Sequence, residues 1–198
     1  MKRVLYTQRV MEKKEYRERW DCTDRRVPEF LLACGYCPVP VPNTPTLAEA
    51  ILGEVEPCGI LLTGGNSLAR YGGDAPERDE TERFLVDACL AMGIPIFAIC
   101  RGMQFLLDYF RVPLEPVEGH IAVRHEIHGK WGRCTVNSYH SLGAREARMP
   151  LEASMYAADG TVEAVEAEGH RITAVMWHPE REDPFRESDI VRVKGLFG

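Results

Sequence analysis

Cys100 stands at the junction of an apolar run, Ile94-Pro95-Ile96-Phe97-Ala98-Ile99, and a second run, Arg101-Gly102-Met103-Gln104-Phe105-Leu106-Leu107, of helical character. A buried strand that turns sharply into a helix lifts the side chain at the turn out of the sheet. The helix N-terminus then offers N–H groups and the positive end of its dipole to a thiolate. The pattern predicts a nucleophile elbow, with Gly102 allowing strand and helix to pack closely at the corner. By itself, a buried cysteine is as readily a small apolar core residue, so the assignment rests on finding a base and an oxyanion site.

His178-Pro179-Glu180 directly follows the apolar strand Ile172–Trp177. Nucleophilic cysteine chemistry needs an imidazole to hold the thiolate and protonate the leaving amine, and a carboxylate to fix the imidazole tautomer. A rigid His-Pro-Glu at a strand end can supply both. Thr63-Gly64-Gly65-Asn66-Ser67 follows the strand Gly59–Leu62. Two glycines there let backbone N–H groups face a developing oxyanion, and the N–H of Arg101 is a second donor. No Gly-Lys-Ser/Thr follows, so a phosphate loop is excluded.

Taken in order, several blocks resemble the class I glutamine amidotransferases and, among them, the gamma-glutamyl-gamma-aminobutyrate hydrolase group. They are Gly64-Gly65, Arg78-Asp79, Ile96 to Gln104, Val136-Asn137-Ser138-Tyr139-His140, Asp159-Gly160-Thr161-Val162-Glu163-Ala164 and Trp177-His178-Pro179-Glu180. The resemblance covers nearly the whole chain. It implies an α/β fold, a flavodoxin-like three-layer sandwich with a mainly parallel central sheet. It further implies Cys100 as nucleophile, His178 as acid/base, Glu180 as its orienter, and Gly65 and Arg101 as oxyanion donors. Gly64, Gln104, Ser138 and Tyr139 would hold the glutamyl group, with His140 shaping the pocket, and no metal or organic cofactor is required. This chain departs from many relatives in carrying Ala98 where they have glycine, and in a short segment before His120.

The leaving group is expected to be read by the N-terminal segment. Residues 7–10 and 18–26, followed by Gly35 to Asn43, are similar to bacterial hydrolases of gamma-glutamyl-CDP-amidate. The first strand ends on the rim where open α/β sheets bind ligands. Arg9, Arg17, Arg19, Arg25 and Arg26 could meet phosphates there, and Trp20 could stack on a base or sugar. The competing reading pairs these arginines with Glu18, Asp21 and Asp24 on a solvated helix.

The elements that must position these residues follow from periodicity. Strands are predicted at Val4–Thr7, Val39–Val41, Gly59–Leu62 and Ile94–Ile99, and helices at about 16–34, 46–54 and 76–92. The last is expected to open on a capping box of Asp74 and Glu77 and to pack through Phe84, Leu85, Ala88, Cys89 and Met92. The second half reads as strands Ile121–Ile127, Arg133–Asn137, Ser154–Ala158, Val162–Glu166 and Ile172–Trp177, with a hairpin turn at Asp159-Gly160 and a helix near 186–196.

With 198 residues, 45% hydrophobic and 27% charged, the chain reads as one soluble domain spanning 1–198, without a membrane-length apolar run. The net charge of -6 excludes a generally basic nucleic-acid binder, although residues 1–30 carry a local +3. The seven cysteines are an odd, irregular set that suits the reducing cytoplasm. Cys34-Gly35-Tyr36-Cys37 lies at a helix end instead of a helix start, against a redox role. His120, His125 and His128, at steps of five and three along a strand, are expected to point to opposite faces and bind no metal. The partner expected is a small gamma-glutamyl substrate, with neither nucleic acid nor membrane. A homodimer is left open. Three function classes remain: a stand-alone hydrolase, favoured because no synthetase domain accompanies the chain; a glutaminase subunit feeding ammonia to a synthase; and a non-catalytic binding module.

Overall fold

Strands buried on both faces need helices above and below them, and this chain supplies both layers. A computed structural model describes residues 1–198. Its elements in chain order are β1 (Arg3–Thr7), β2 (Arg9–Lys13), β3 (Glu18–Cys22), α1 (Arg26–Ala33), β4 (Cys37–Val41), α2 (Pro45–Val55), β5 (Gly59–Leu62), α3 (Pro76–Met92), β6 (Ile96–Ile99), α4 (Arg101–Tyr109), β7 (Glu115–Pro116), β8 (Ile121–Gly129), β9 (Gly132–Tyr139), β10 (Leu142–Gly143), β11 (Glu152–Ala157), β12 (Val162–Ala167), β13 (Ile172–Val175) and α5 (Glu187–Phe197).

Nine strands form one sheet in the order β4-β1-β5-β6-β13-β12-β11-β8-β9. The first five are parallel, and β12, β11, β8 and β9 extend them antiparallel. Along β1, Val4 and Tyr6 join one apolar cluster and Leu5 the other, as a period of two requires. One cluster is capped by Ala48 and Leu52 of α2, Leu85, Val86 and Cys89 of α3, and Met103, Leu106 and Leu107 of α4. The other is capped by Val27, Phe30 and Leu31 of α1 and by Val193 and Phe197 of α5. The result is the expected α/β three-layer sandwich. No helix is long and apolar enough to cross a membrane.

Four expectations change. Residues 16–25 are not helical: β2 and β3 pair as an antiparallel hairpin from Arg9↔Cys22 to Lys13↔Glu18, and only Arg26–Ala33 is helix. Arg17 takes a φ of +54 at the hairpin turn, and β3 is exposed along most of its length while β2 buries Val10. The mixed charge read as a solvated helix face therefore belongs to a solvated hairpin. Asp74 does not cap α3, whose N-cap is Ala75 without a side-chain bond. Instead Arg19 takes the Asp74 carbonyl and the Glu77 carboxylate. Met92 is 64% exposed and lies outside the core face.

Registry places the active end. Leu62 pairs with Ala98, and Val175 pairs with Ile99. Gly64, Cys100 and Met176 therefore leave the sheet at the same level, at the carboxyl ends of parallel strands, where such sheets bind ligands. Phe197, 1% exposed, packs edge-on to Tyr36 with ring centroids 5.6 Å apart. Phe197→Ala should destabilise the fold by about 3–5 kcal/mol, read as a lowered urea midpoint with an unchanged slope. An unchanged midpoint would show that α5 contributes no core.

Candidate active site

Cys100 occupies the turn between β6 and α4 with φ +50 and ψ −105, a backbone region costly for a side chain with a Cβ. Its own N–H donates to the Val175 carbonyl at 2.8 Å, so the strained residue stays anchored to the sheet. A Cβ on Gly102 would strike the Leu62 carbonyl, so α4 can lie this close to β5 only with glycine there. Arg101 is the first helical residue, and its N–H has no intrahelical acceptor.

His178 and Glu180 come from the 3-10 turn after β13. Nδ1 of His178 lies 2.6 Å from Oε1 of Glu180, with both side chains buried. Burial works against a charged imidazole, yet Glu180 and the Cys100 thiol beside it outweigh burial and raise His178 to about 9. Asn137 of β9 fixes the imidazole's backbone in both directions: its amide donates to the His178 carbonyl and its oxygen accepts the His178 N–H, each at 2.9 Å. Asn137 also donates to Glu182 at 2.8 Å. Arg26 donates to the carbonyls of Glu180 and Glu182 from α1. Arg26 thus braces the turn and does not meet a ligand.

A Cβ on Gly64 would stand 2.8 Å from Cε1 of His178 and 3.7 Å from Cβ of Cys100, so the glycine lies directly against both groups. Arg78, wholly buried, donates to the carbonyls of Thr63 at 2.6 Å, Gly64 at 3.2 Å and Gly65 at 2.5 Å. Across a trans peptide, N–H and C=O point in opposite directions. Turning the Gly64 and Gly65 carbonyls toward Arg78 therefore turns the N–H groups of Gly65 and Asn66 away from it. Arg78 also pairs with Glu82 at 2.9 Å, and Glu82 and Asp79 both receive Arg101. Burial pulls Arg78 down to about 9, still charged at neutral pH.

A cleft of about 160 Å³ joins Arg9, Gly65, Cys100, Arg101, Gln104, Tyr139, His140, His178 and Arg181. A larger depression of about 340 Å³ beside β13 and α5 is lined by no cysteine or histidine, so size does not locate the chemistry here. Gln104 holds the Leu142 carbonyl at 2.9 Å. Ser138 is turned inward and donates to the His120 carbonyl at 2.7 Å, so its hydroxyl does not line the cleft.

Of the six residues expected at the leaving group, only Arg9 reaches the cleft, with its guanidinium over Gly65. Arg19 is consumed by Glu77 and Asp74. Trp20 donates its indole N–H to Glu18 on the hairpin, and Arg25 is exposed at the start of α1. Sequence reasoning missed Arg181, whose guanidinium lies 4.4 Å over the Tyr139 ring, itself edge-on to His178. Its place directly after His-Pro-Glu was the available signal. Asn137 was likewise visible only inside its motif, because its clamp is on a backbone.

The histidines also depart from expectation. Ala122 has φ +55, and the β8–β9 pairing skips a residue between Ile121 and Val123. This bulge turns the step of five from His120 to His125 into an even one. The two side chains therefore converge, with ring centroids 4.7 Å apart, while His128 stacks toward Tyr156.

The sequence profile of the family described as Peptidase C26 matches residues 4–111 and 110–180. The chain is 32% identical over 135 residues to a gamma-glutamyl-CDP-amidate hydrolase of Campylobacter jejuni, a match covering 67% of either protein. It is 33% identical over 192 residues to a gamma-glutamyl-gamma-aminobutyrate hydrolase of Escherichia coli O157:H7, covering 76% of this chain and 75% of that one. A glutamine amidotransferase of Thermotoga maritima shares the fold with a TM-score of 0.66 at 14% identity, over 98% of this chain and 83% of that one.

The raised His178 makes a signed prediction. A folded value near 9 against an ordinary 6.5 means that the charged imidazole's contribution to stability is complete below about 6.5 and is lost as pH rises through about 9. The unfolding free energy of the native chain, measured relative to His178→Gln, should decline across that window. Parallel pH profiles for the two proteins would remove the ion pair from the folded site.

Proposed function

We propose that this chain, which belongs to the Peptidase C26 family of class I glutamine amidotransferase-like hydrolases, cleaves a gamma-glutamyl amide through a triad of Cys100, His178 and Glu180. The observation that carries this reading is the elbow cysteine facing an imidazole whose far nitrogen is held 2.6 Å from a buried carboxylate. The Cys100 thiolate attacks the gamma-carbonyl carbon, and the carbonyl oxygen becomes an oxyanion received by the N–H groups of Gly65 and Arg101. His178 gives its proton to the departing nitrogen as the C–N bond breaks. Deprotonated, it then draws a proton from water, which attacks the thioester to release glutamate and restore the thiolate beside the charged imidazole. Glu180 holds the tautomer throughout. Gln104 and the segment Tyr139 to Leu142 receive the glutamyl amino acid, and the chemistry needs no organic cofactor.

An anionic, phosphate-bearing leaving group is the finer part of the reading. It is supported by two guanidinium groups, Arg9 and Arg181, at the mouth of the cleft, and by the Campylobacter relative that carries the name of a CDP-amidate hydrolase. Arginine meets phosphate oxygens through paired N–H donors, and the seat of Arg181 4.4 Å over the Tyr139 ring restricts where its guanidinium can lie. On this reading the enzyme is a cytoplasmic hydrolase acting without a synthase.

Cys100→Ala should lower kcat by at least about 10⁴-fold with a native melting curve, while Glu180→Gln should retain measurable turnover because it disturbs orientation and leaves the proton carrier in place. The assay is glutamate release from a panel of gamma-glutamyl amides and glutamine, and near-native turnover by Cys100→Ala would refute the nucleophile. In the same panel, a phosphate-bearing gamma-glutamyl amide should be preferred over gamma-glutamyl-aminobutyrate. Arg9→Ala and Arg181→Ala should each reduce kcat/KM for the anionic substrate about 10-fold or more, a loss of roughly 1.5–3 kcal/mol for a charged hydrogen bond, and leave glutamine turnover within a few-fold. Equal losses on every substrate would refute the anionic leaving group. Turnover appearing only with an added synthase would favour a glutaminase subunit.

A further inference from the structure

Beside the catalytic cleft, β8, β9 and β12 gather a second set of chemical groups, of which only His140 also lines the cleft. Glu163 on β12 is fully buried. Its Oε1 lies 3.3 Å from Nδ1 of His120, 3.3 Å from Nε2 of His140 and 3.6 Å from Nε2 of His125. The ligand atoms of His120, His125 and Glu163 all fall within 4.8 Å of one another.

The outer faces of two imidazoles are already assigned. Nε2 of His120 lies 3.3 Å from the Asp159 carboxylate, and Nδ1 of His140 lies 3.1 Å from the Leu142 carbonyl. Each outer nitrogen must carry its proton to satisfy a pure acceptor. In the neutral rings the inner nitrogens, Nδ1 of His120 and Nε2 of His140, are then both bare lone pairs. They nevertheless face each other at 3.1 Å. Something positive belongs between them. A single extra proton would bridge these two nitrogens, but it would leave Nε2 of His125 buried without a partner, as it now is. A hydrogen bond from His125 to Glu163 at 3.6 Å is too long to count.

We propose that His120, His125 and Glu163 form a binding site for a divalent transition metal of the zinc type, with Asp159 as the outer partner that orients His120. Two imidazole nitrogens and one carboxylate oxygen, with the fourth position left to water, are a donor set suited to that class of ion, and a carboxylate hydrogen-bonded to the outer nitrogen of a ligating histidine is its usual support. Tetrahedral bonds of about 2.0–2.1 Å separate ligand atoms by about 3.3 Å. Oε1 of Glu163 stands 3.3 Å from Nδ1 of His120 and 3.6 Å from Nε2 of His125, at and just above that figure. The site is enclosed on the Glu163 side and opens past His125, whose side chain is 18% exposed. It stands apart from Cys100 and is independent of the reaction proposed above. His140, against Glu163 on one side, also lines the cleft, so a bound ion would fix the cleft wall without touching the scissile bond.

The test uses the full-length protein, treated with a chelator and then titrated with cobalt(II), followed by visible absorption and by elemental analysis after gel filtration. Wild-type protein should bind a single equivalent with the absorption of a four-coordinate ion and no sulfur-to-cobalt charge transfer, which separates this site from the seven cysteines. His125→Ala should weaken cobalt binding by at least about 100-fold, and Asp159→Asn by about 10–100-fold, the range for a lost outer partner. Glu163→Gln should abolish binding. Because that residue is in the core, its fold is checked by circular dichroism, and His125→Ala at the open rim decides if it fails. Absence of stoichiometric cobalt in the wild type, a thiolate spectrum, or equal affinity in wild type and His125→Ala would each overturn the site.

Discussion

The active end of this protein depends on one buried set of charges, Arg78 and Glu82 of α3 with Arg101 of α4, joined by Asp79 at its edge. Isolated charges in such a place would be costly, because desolvation outweighs simple attraction. Here every guanidinium is met by oxygens on more than one side. Arg78 takes a carboxylate, the Thr63 hydroxyl and three successive carbonyls. Three successive carbonyls can converge on one group only if the chain curls around it. The curl of Thr63-Gly64-Gly65 is therefore dictated from behind by an arginine, and the direction of its N–H groups is a consequence of where its carbonyls are held. Arg101 carries the same network into the residue after Cys100, so the loop after β5 and the elbow after β6 share one anchor.

The rest of the site is held by the same device, a polar side chain gripping a backbone. Asn137 grips His178, Arg26 grips the carbonyls of Glu180 and Glu182, and Asn66 grips both the N–H and the carbonyl of Val10. Such clamps suit a region where strain must be stored. The positive φ at Cys100 costs on the order of 1–3 kcal/mol, and it persists because β6, β13 and the close contact of Gly102 with β5 leave the turn no other course. The side chains that perform chemistry are few, and most of the buried polar groups exist to aim backbone.

This division explains what was legible in the sequence. β1, β5, β6 and α3 carry period-two or helical apolar patterns, and their bounds follow from burial on both faces of the sheet. Cys100, His178 and Glu180 stand at the ends of such strands, so their juxtaposition could be anticipated. The hairpin of β2 and β3 could not, because Val10 is its only buried apolar residue and no period-two pattern runs along either strand. It is docked by polar contacts, Asp21 to Asn43, Asn66 to Val10 and Arg19 to Glu77, each far apart in sequence. The same absence of pattern hid which arginines face the cleft. Arg9 and Arg19 lie on one hairpin, yet one covers Gly65 and the other is spent on Glu77. His120 and His125 were misplaced for a different reason: a single bulge residue, Ala122, reverses the parity on which the strand rule depends.

β9 is where the two halves of the molecule communicate. Its alternation sends Asn137 and Tyr139 toward His178, through a backbone clamp and an edge-on ring contact at 5.7 Å. Ser138 and His140 turn the other way, to the His120 carbonyl and the Glu163 cluster. A sheet strand cannot shift one face without shifting the other, since successive side chains share a single backbone. Whatever fixes His120 and His140 therefore also fixes the position of Tyr139, and with it the platform on which Arg181 lies. The antiparallel extension of the sheet is thus more than a flank to the parallel core. It carries the wall of the cleft, and the buried polar cluster beneath that wall sets where the wall stands.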